Sequence, residues 1–225
     1  MEKYSVIALV PMKGHSERIP NKNIRNFCGR PLLHWVMESL RKSPYIKEIV
    51  INTDSEQISE EGRKNFGARI INRPQHLRGD MVPMNDIIAY DLSQIKGEHF
   101  LQTHSTNPLL TTKTINLAIE TYFSNLEQYD SLFSVTKVQA RLYWPDGKPI
   151  NHDPDNLLRT QDLPPVFEEN SNFYIFSKKS FKRAGNNRIG LKPQMFEISK
   201  LEAVDIDEPE DWDIAEAIYE IRKDR

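Results

Sequence analysis

Lys13, Arg18 and Lys22 share one short stretch, Pro11-Met12-Lys13-Gly14-His15-Ser16-Glu17-Arg18-Ile19-Pro20-Asn21-Lys22-Asn23. Three cations, a glycine that lets the backbone approach closely and a run of backbone N–H groups can converge on an anion, and a polyphosphate suits that charge. A surface turn with solvated cations accounts for the same residues. Far along the chain, Ala203-Val204-Asp205-Ile206-Asp207-Glu208-Pro209 spaces two carboxylates D-x-D. Such a pair can hold Mg²⁺ and leave coordination positions for water and phosphate oxygens. Helix capping ahead of Pro209 explains Asp207 alone, not both. For Glu208, Glu210 and Asp211, favourable charge at a helix N-terminus is explanation enough. Neither G-x-G-x-x-G nor G-x-x-x-x-G-K-[ST] occurs, so hydride transfer and P-loop chemistry lose their usual support.

The loop follows Val6-Ile7-Ala8-Leu9-Val10, a continuous apolar run that reads as a central strand covered on both faces. Pro31 opens a helix with Leu32, Leu33, Val36, Met37 and Leu40 at helical spacing. Glu48–Asp54 reads as a strand, Ser55–Phe66 as a helix closed by Gly67, and Ala68–Asn72 as a strand. After the irregular Arg73–Asp80, a helix is expected from Asn85 to Gln94 and a strand over His99–Gln102. A helix over Thr114–Phe123 and a strand over Ser131–Val138 follow. This βα alternation favours a parallel, doubly wound sheet, whose ligands gather at the carboxyl ends of the strands. Phe173–Phe176 and Leu201–Asp205 read as later strands. A final helix carries Trp212, Ala215 and Tyr219 on one side, with Ile214, Ile218 and Ile221 beside them.

The 225 residues suit one domain over 1–225, with an elaborated segment at about 139–170. A net charge of −2 lacks the positive field of a nucleic-acid binder, so a small partner is expected. Cys28 is the lone cysteine, which excludes an intramolecular disulfide and agrees with a reducing compartment. No apolar stretch approaches the ~20 residues that span a bilayer, and the opening residues do not form a signal-peptide core. The chain reads as a cytoplasmic protein without membrane or nucleic-acid partners.

Over nearly its whole length the chain resembles the acylneuraminate cytidylyltransferases. Pro20-Asn21-Lys22-Asn23 matches the family's Pro-x-Lys-Asn, and Gly29-Arg30-Pro31-Leu32 its Gly-[Lys/Arg]-Pro-Leu. Asn52-Thr53-Asp54-Ser55, Asn72-Arg73-Pro74 with Asp80, and Gln102 to Leu110 are similar to further family elements. So are Arg159-Thr160-Gln161-Asp162-Leu163-Pro164, Glu169–Ile175 and the closing Val204–Asp211. The resemblance implies a Rossmann-like (GT-A-like) α/β nucleotidyltransferase fold, with a mostly parallel central sheet flanked by helices. It also implies transfer of a cytidylyl group from CTP to the anomeric hydroxyl of an acidic 2-keto-3-deoxy sugar, in precursor synthesis for surface glycans.

In that reading Lys13, Gly14, Ser16, Arg18, Lys22, Asn23, Arg73 and Asp80 serve the nucleotide. Lys13, Lys22 and Asp207 are the catalytic set, and Asp205 with Asp207 hold Mg²⁺. Gln102, Arg159, Gln161 and Asn170 face the sugar. Without the resemblance, Gln102 would be a strand-end hydrogen bonder and Arg73 a solvated loop charge. His104 is a candidate acid or base, or a hydrogen-bonding residue at a strand end. The segment from about Gln139 to Pro165, with Tyr143 and Trp144, falls where the family builds a homodimer contact.

This chain departs from the family pattern at Lys13 and Leu110, where arginine is common, and at Glu17-Arg18, where lysine-glycine is common. It also departs at Glu168, a position often cationic in sialic-acid enzymes. Lysine does not reproduce a bidentate guanidinium grip. Two rival readings are a sugar-1-phosphate nucleotidyltransferase, whose G-x-G-T-R loop is not found, and a nucleotide-binding homologue without turnover.

Overall fold

The computed structural model describes residues 4–223. A seven-stranded sheet forms its centre, in the order β5-β4-β1-β6-β8-β7-β9. The elements are β1 (Val6–Leu9), α1 (Leu33–Arg41), β4 (Ile46–Thr53), α2 (Glu56–Phe66), β5 (Arg69–Asn72), α3 (Met84–Gln94), β6 (His99–Thr103), α4 (Thr112–Ser124), β7 (Ser131–Val138), β8 (Val166–Ser177), α5 (Lys178–Arg183), β9 (Pro193–Glu197) and α6 (Pro209–Lys223). β2 (Asn26–Phe27) and β3 (Arg30–Pro31) form a separate hairpin. Cys28 and Gly29 turn that hairpin with φ of 47° and 92°, the positive values a two-residue turn demands. β1, β4, β5 and β6 are parallel, whereas β8 runs antiparallel to both neighbours, β6 and β7.

Period-two alternation along β1 explains its central place. Val6 and Ala8 pack on one face with Leu33, Val36, Met37 and Leu40 of α1 and Ile115, Ala118 and Ile119 of α4. Ile7 and Leu9 pack on the other with Ile88 and Leu92 of α3 and Phe181 of α5. α2 begins at Ser55, whose hydroxyl accepts from the Ile58 N–H, and ends at Gly67 with φ 62°. A third cluster joins Ile19, Phe27 and Leu32 to Ile206, Trp212 and Ala215. Burying side chains such as Ile19 and Ile206 contributes about 1.5–3 kcal/mol each. The same contact fastens the loop after β1 to the segment that carries Asp205 and Asp207.

Several expectations need correction. Leu201–Asp205 is not a strand: Glu202 and Ala203 N–H groups turn back on Ser199 O, and Ile206 N–H bonds Thr106 O instead of a sheet neighbour. The last strand is β9, which the sequence reading missed. The irregular segment is also shorter than expected, because β8 already begins at Val166. Pro31 belongs to β3, and Ile214 and Ile221 of α6 are exposed whereas Trp212 and Ala215 are buried. Cys28 packs against the third cluster, and burial raises its thiol to about 11.

Candidate active site

A cleft of about 410 Å³ opens at the carboxyl ends of β1 and β6. Lys13, Ser16, Lys22, Asn23, Arg73, Asp80, His104, Asp205 and Asp207 all line it, so residues from both ends of the chain meet there. The Lys22 ammonium donates to Ile206 O at 2.7 Å and to Asp207 Oδ1 at 3.2 Å, and only 12% of its side chain is exposed. Asn23 fixes the loop from below. Its amide donates to Lys13 O at 2.9 Å and its Oδ1 accepts from Ser105 Oγ at 2.6 Å.

The other loop cations are paired. Lys13 binds Asp80, and its ammonium holds that carboxyl below the usual range. Arg18 reaches Glu208 Oε1 at 2.8 Å and Asp207 Oδ1 at 3.2 Å, outside the cleft lining. Gly14 also lies off the lining. Its N–H donates to Asp54 Oδ1 at 2.7 Å, and an added Cβ would stand 2.8 Å from Ser55 Cβ. Its lack of a side chain therefore lets the loop close on the start of α2.

Asp211, not Asp207, caps α6: its Oδ2 accepts from the Asp207 and Glu208 N–H groups at 3.0 and 2.7 Å. That leaves the Asp207 carboxylate for the cleft. Asp205 Oδ1 is buried without a hydrogen-bond partner among the described residues. Burial, reinforced by the negative Asp207, raises the Asp205 carboxyl, while the Thr106 hydroxyl opposes the rise. No group of three His, Cys, Asp or Glu suited to a metal occurs among the described residues. Two carboxylates are nonetheless what Mg²⁺ takes when phosphates and water complete its octahedron, and the orphaned Asp205 oxygen fits that demand.

Arg73 is not a solvated charge. It is 5% exposed, its Nε donates to Asn52 Oδ1 at 2.8 Å, and Asn52 Nδ2 donates to Asp91 Oδ1 at 2.5 Å. Burial pushes Asp91 up to about 7 and lowers Arg73. Leu110 is a core residue on the α4 side of the sheet.

The four expected sugar contacts do not share one surface. Gln102 is fully buried and its amide is fully engaged, with Nε2 donating to Thr103 O and His104 Nε2, both at 3.1 Å, and Oε1 accepting from Arg188. Asn170 staples a bulge in β8, where the β7 register jumps from Phe133–Tyr174 to Val135–Glu169. Its Oδ1 accepts from Ser134 Oγ at 2.6 Å and its Nδ2 donates to Thr136 Oγ1 at 2.8 Å. Arg159 is exposed and pairs with Asp162 at 2.6 Å. Gln161 lines a shallow depression with Lys137 and Gln139.

Sequence reasoning missed Ser171 and Arg188. The bulge throws Ser171 into the cleft with φ 56°, a left-handed conformation uncommon for serine. Arg188 also lines the cleft, from a turn rich in Asn and Gly whose composition signals a turn and nothing more. A second depression of about 520 Å³, lined by Glu168, Glu169, Asn170 and Lys200 among others, shares Ser171 and Asp205 with the cleft. His104 is lowered to about 4 by burial and then by Arg188, which makes it a neutral hydrogen-bonding group.

A family model described as cytidylyltransferase matches residues 7–224. The chain belongs to the cytidylyltransferase family. Its relatives include the N-acylneuraminate cytidylyltransferase of Oncorhynchus mykiss, 29% identical over 96% of this chain and 50% of that protein. The pseudaminic acid cytidylyltransferase of Campylobacter jejuni is 24% identical over 96% of both chains. This cytidylyltransferase thus spans about half the length of the trout relative and nearly all of the bacterial one. Among solved structures, CMP:2-keto-3-deoxy-manno-octonic acid synthetase complexed with CTP superposes with a TM-score of 0.72 at 13% identity, over 98% of this chain and 100% of that one. The 4-diphosphocytidyl-2C-methyl-D-erythritol synthase of Anaerococcus prevotii superposes at 0.68, also at 13% identity, over 96% of each chain. Those two likenesses establish the shared Rossmann-like fold.

Proposed function

We propose that this cytidylyltransferase transfers CMP from CTP to the anomeric hydroxyl of an acidic 2-keto-3-deoxy sugar. One observation carries the reading: Lys22, on the loop after β1, contacts Asp207 and Ile206 O at 2.7–3.2 Å in the cleft where Asp205 keeps an unpartnered buried oxygen. The family membership and the relatives' names support the same chemistry.

The sugar hydroxyl attacks the α-phosphorus, a new P–O bond forms, and pyrophosphate leaves with the electron pair of the broken bond. The hydroxyl proton passes to water in the open cleft. Lys22 orients the triphosphate, with Lys13 and Ser16 beside it on the cleft wall. Asn23 keeps the loop in register, and Arg73 presents a guanidinium locked by Asn52. Asp205 and Asp207 would hold Mg²⁺, which neutralises charge developing on the phosphates. Removing one such positioned charge costs on the order of 10²–10³ in rate.

The exposed Tyr143, Trp144, Leu157 and Leu158 favour a homodimer built on residues 139–165, which would carry Arg159 and Gln161 toward a partner's cleft. No helix among the described residues is long and apolar enough to cross a membrane, and CTP supply supports a cytoplasmic site. A second reading, nucleotide binding without turnover, draws on the pairing of Lys13 and Arg18 with protein carboxylates.

The test incubates the protein with each NTP, Mg²⁺ and sialic, legionaminic, pseudaminic or 3-deoxy-octulosonic acid, and follows pyrophosphate. Release with CTP and at least one acid is expected. CTP binding with no release for any acid would favour the second reading.

A further inference from the structure

Four cations line the cleft among the described residues: Lys13, Lys22, Arg73 and Arg188. Lys13 and Lys22 are paired with carboxylates, and Arg73 is tied twice to Asn52. Arg188 instead stacks its guanidinium 3.7 Å from the centre of the Tyr174 ring and gives one N–H to Gln102 Oε1 at 2.5 Å. A guanidinium carries five donors in a rigid fork, so most remain for a ligand.

Gln102 decides what stands beside it. With Oε1 taken by Arg188, the amide nitrogen faces Thr103 O and His104 Nε2. An amide NH₂ only donates, so His104 Nε2 accepts and Nδ1 carries the hydrogen. Nδ1 has no bond to a described residue, and it is not among the sealed, unpartnered polar atoms. His104 and Arg188 both line the cleft, and they hold opposite ends of one amide.

Tyr174 links Arg188 to the β8 bulge. Tyr174, under Arg188, donates its hydroxyl to Glu169 and lies 3.1 Å from Ser171 Oγ. Glu169 and Ser171 line the second depression, and Ser171 also lines the cleft. The phosphate-suited cations come from the loop after β1.

We propose that Arg188 and His104 Nδ1–H together bind the carboxylate of the acceptor, with Gln102 as the positioning residue that sets both. The inference rests on the CTP-dependent reading above. It replaces a direct Gln102 contact by a contact passed outward to two residues the buried amide controls. Charge and a two-point donor geometry make the site select acids over neutral sugars.

Arg188→Met and Arg188→Lys are to be compared with the wild type by calorimetric CTP titration and by pyrophosphate release with the four acids above. Arg188→Met is expected to leave the Kd for CTP within about twofold and to lower kcat/KM for the acceptor about 10²–10³-fold, mostly through KM. Arg188→Lys recovers part of that loss, because it restores charge without the fork. Gln102→Leu shifts the His104 ring ¹⁵N resonances away from the Nδ1–H tautomer, a signature that mere loss of packing would not produce. A wild-type acceptor KM in a folded Arg188→Met protein would overturn the inference and leave the reading standing. A weakened CTP Kd would overturn it by assigning Arg188 to the triphosphate. Wild-type protein that turns over no acid would overturn the reading and this inference with it.

Discussion

The two walls of the cleft are built differently. On the wall after β1, parallel strands feed short loops whose cations meet protein carboxylates, and an apolar contact between Ile19 and Ile206 holds the two together. On the opposite wall, an antiparallel strand is interrupted by a bulge, a serine sits at φ 56°, and a guanidinium rests on an aromatic ring. The first wall suits a ligand of fixed shape and high charge. The second depends on one irregularity in β8, so small sequence changes can re-aim it without disturbing the core.

Substitutions separate the walls by what they change, and the largest effect is expected at the carboxylates. Asp207→Asn should lower pyrophosphate release by ~10³ or more with little change in Tm, since Asp211 and not Asp207 caps α6. Wild-type turnover in that variant would remove the metal assignment. Lys22→Ala comes next, with a loss of about 10²–10³ in kcat/KM for CTP and an unchanged acceptor KM. A defect confined to the acceptor would reverse the roles of the walls.

Asn170→Ala acts on the second wall through structure. It removes the partner of the Thr136 hydroxyl and of the Asn172 N–H, while Ser134 keeps its bonds to Phe173, and should cost about 1–3 kcal/mol in chemical denaturation while raising the acceptor KM at constant CTP affinity. Unchanged stability would mean the bulge holds without its staple.

Asp91 adds a pH slope. Its carboxyl titrates near 7 when folded and near its ordinary acidic value when unfolded, so the folded state holds the extra proton between those limits. Stability should therefore fall as pH rises from about 4 to 7, by at most about 4 kcal/mol. Asp91→Asn should flatten that slope in denaturant titrations. A slope unchanged by the substitution would place its origin elsewhere.

The first wall was legible in the sequence because its signals are local. An apolar run, a polar loop and a helix at 3.6-residue spacing announce β1, the loop and α1, and the D-x-D pair announces Asp205 and Asp207. That Lys22 and Asp207 serve one site came from resemblance, not spacing. The second wall was legible only in part. Tyr174 and Phe176 read as a strand, but the bulge depends on Asn170 bonding Ser134 and Thr136 of another strand, which no local pattern encodes. The same limit explains Leu201–Asp205, an apolar run that reads as a strand yet finds no sheet neighbour. It also explains Gln102, whose type suggests a ligand contact until Arg188 and His104 are seen to occupy its amide.

Catalysis carries a cytidylyl group from one wall to the other. The direct measurement is the fate of the α-phosphate of radiolabelled CTP in the presence of Mg²⁺ and the same four sugar acids. The predicted result is label in a CMP-sugar conjugate, with pyrophosphate released in equal amount. Label that stays in CTP with every acid, while CTP still binds, would contradict the account.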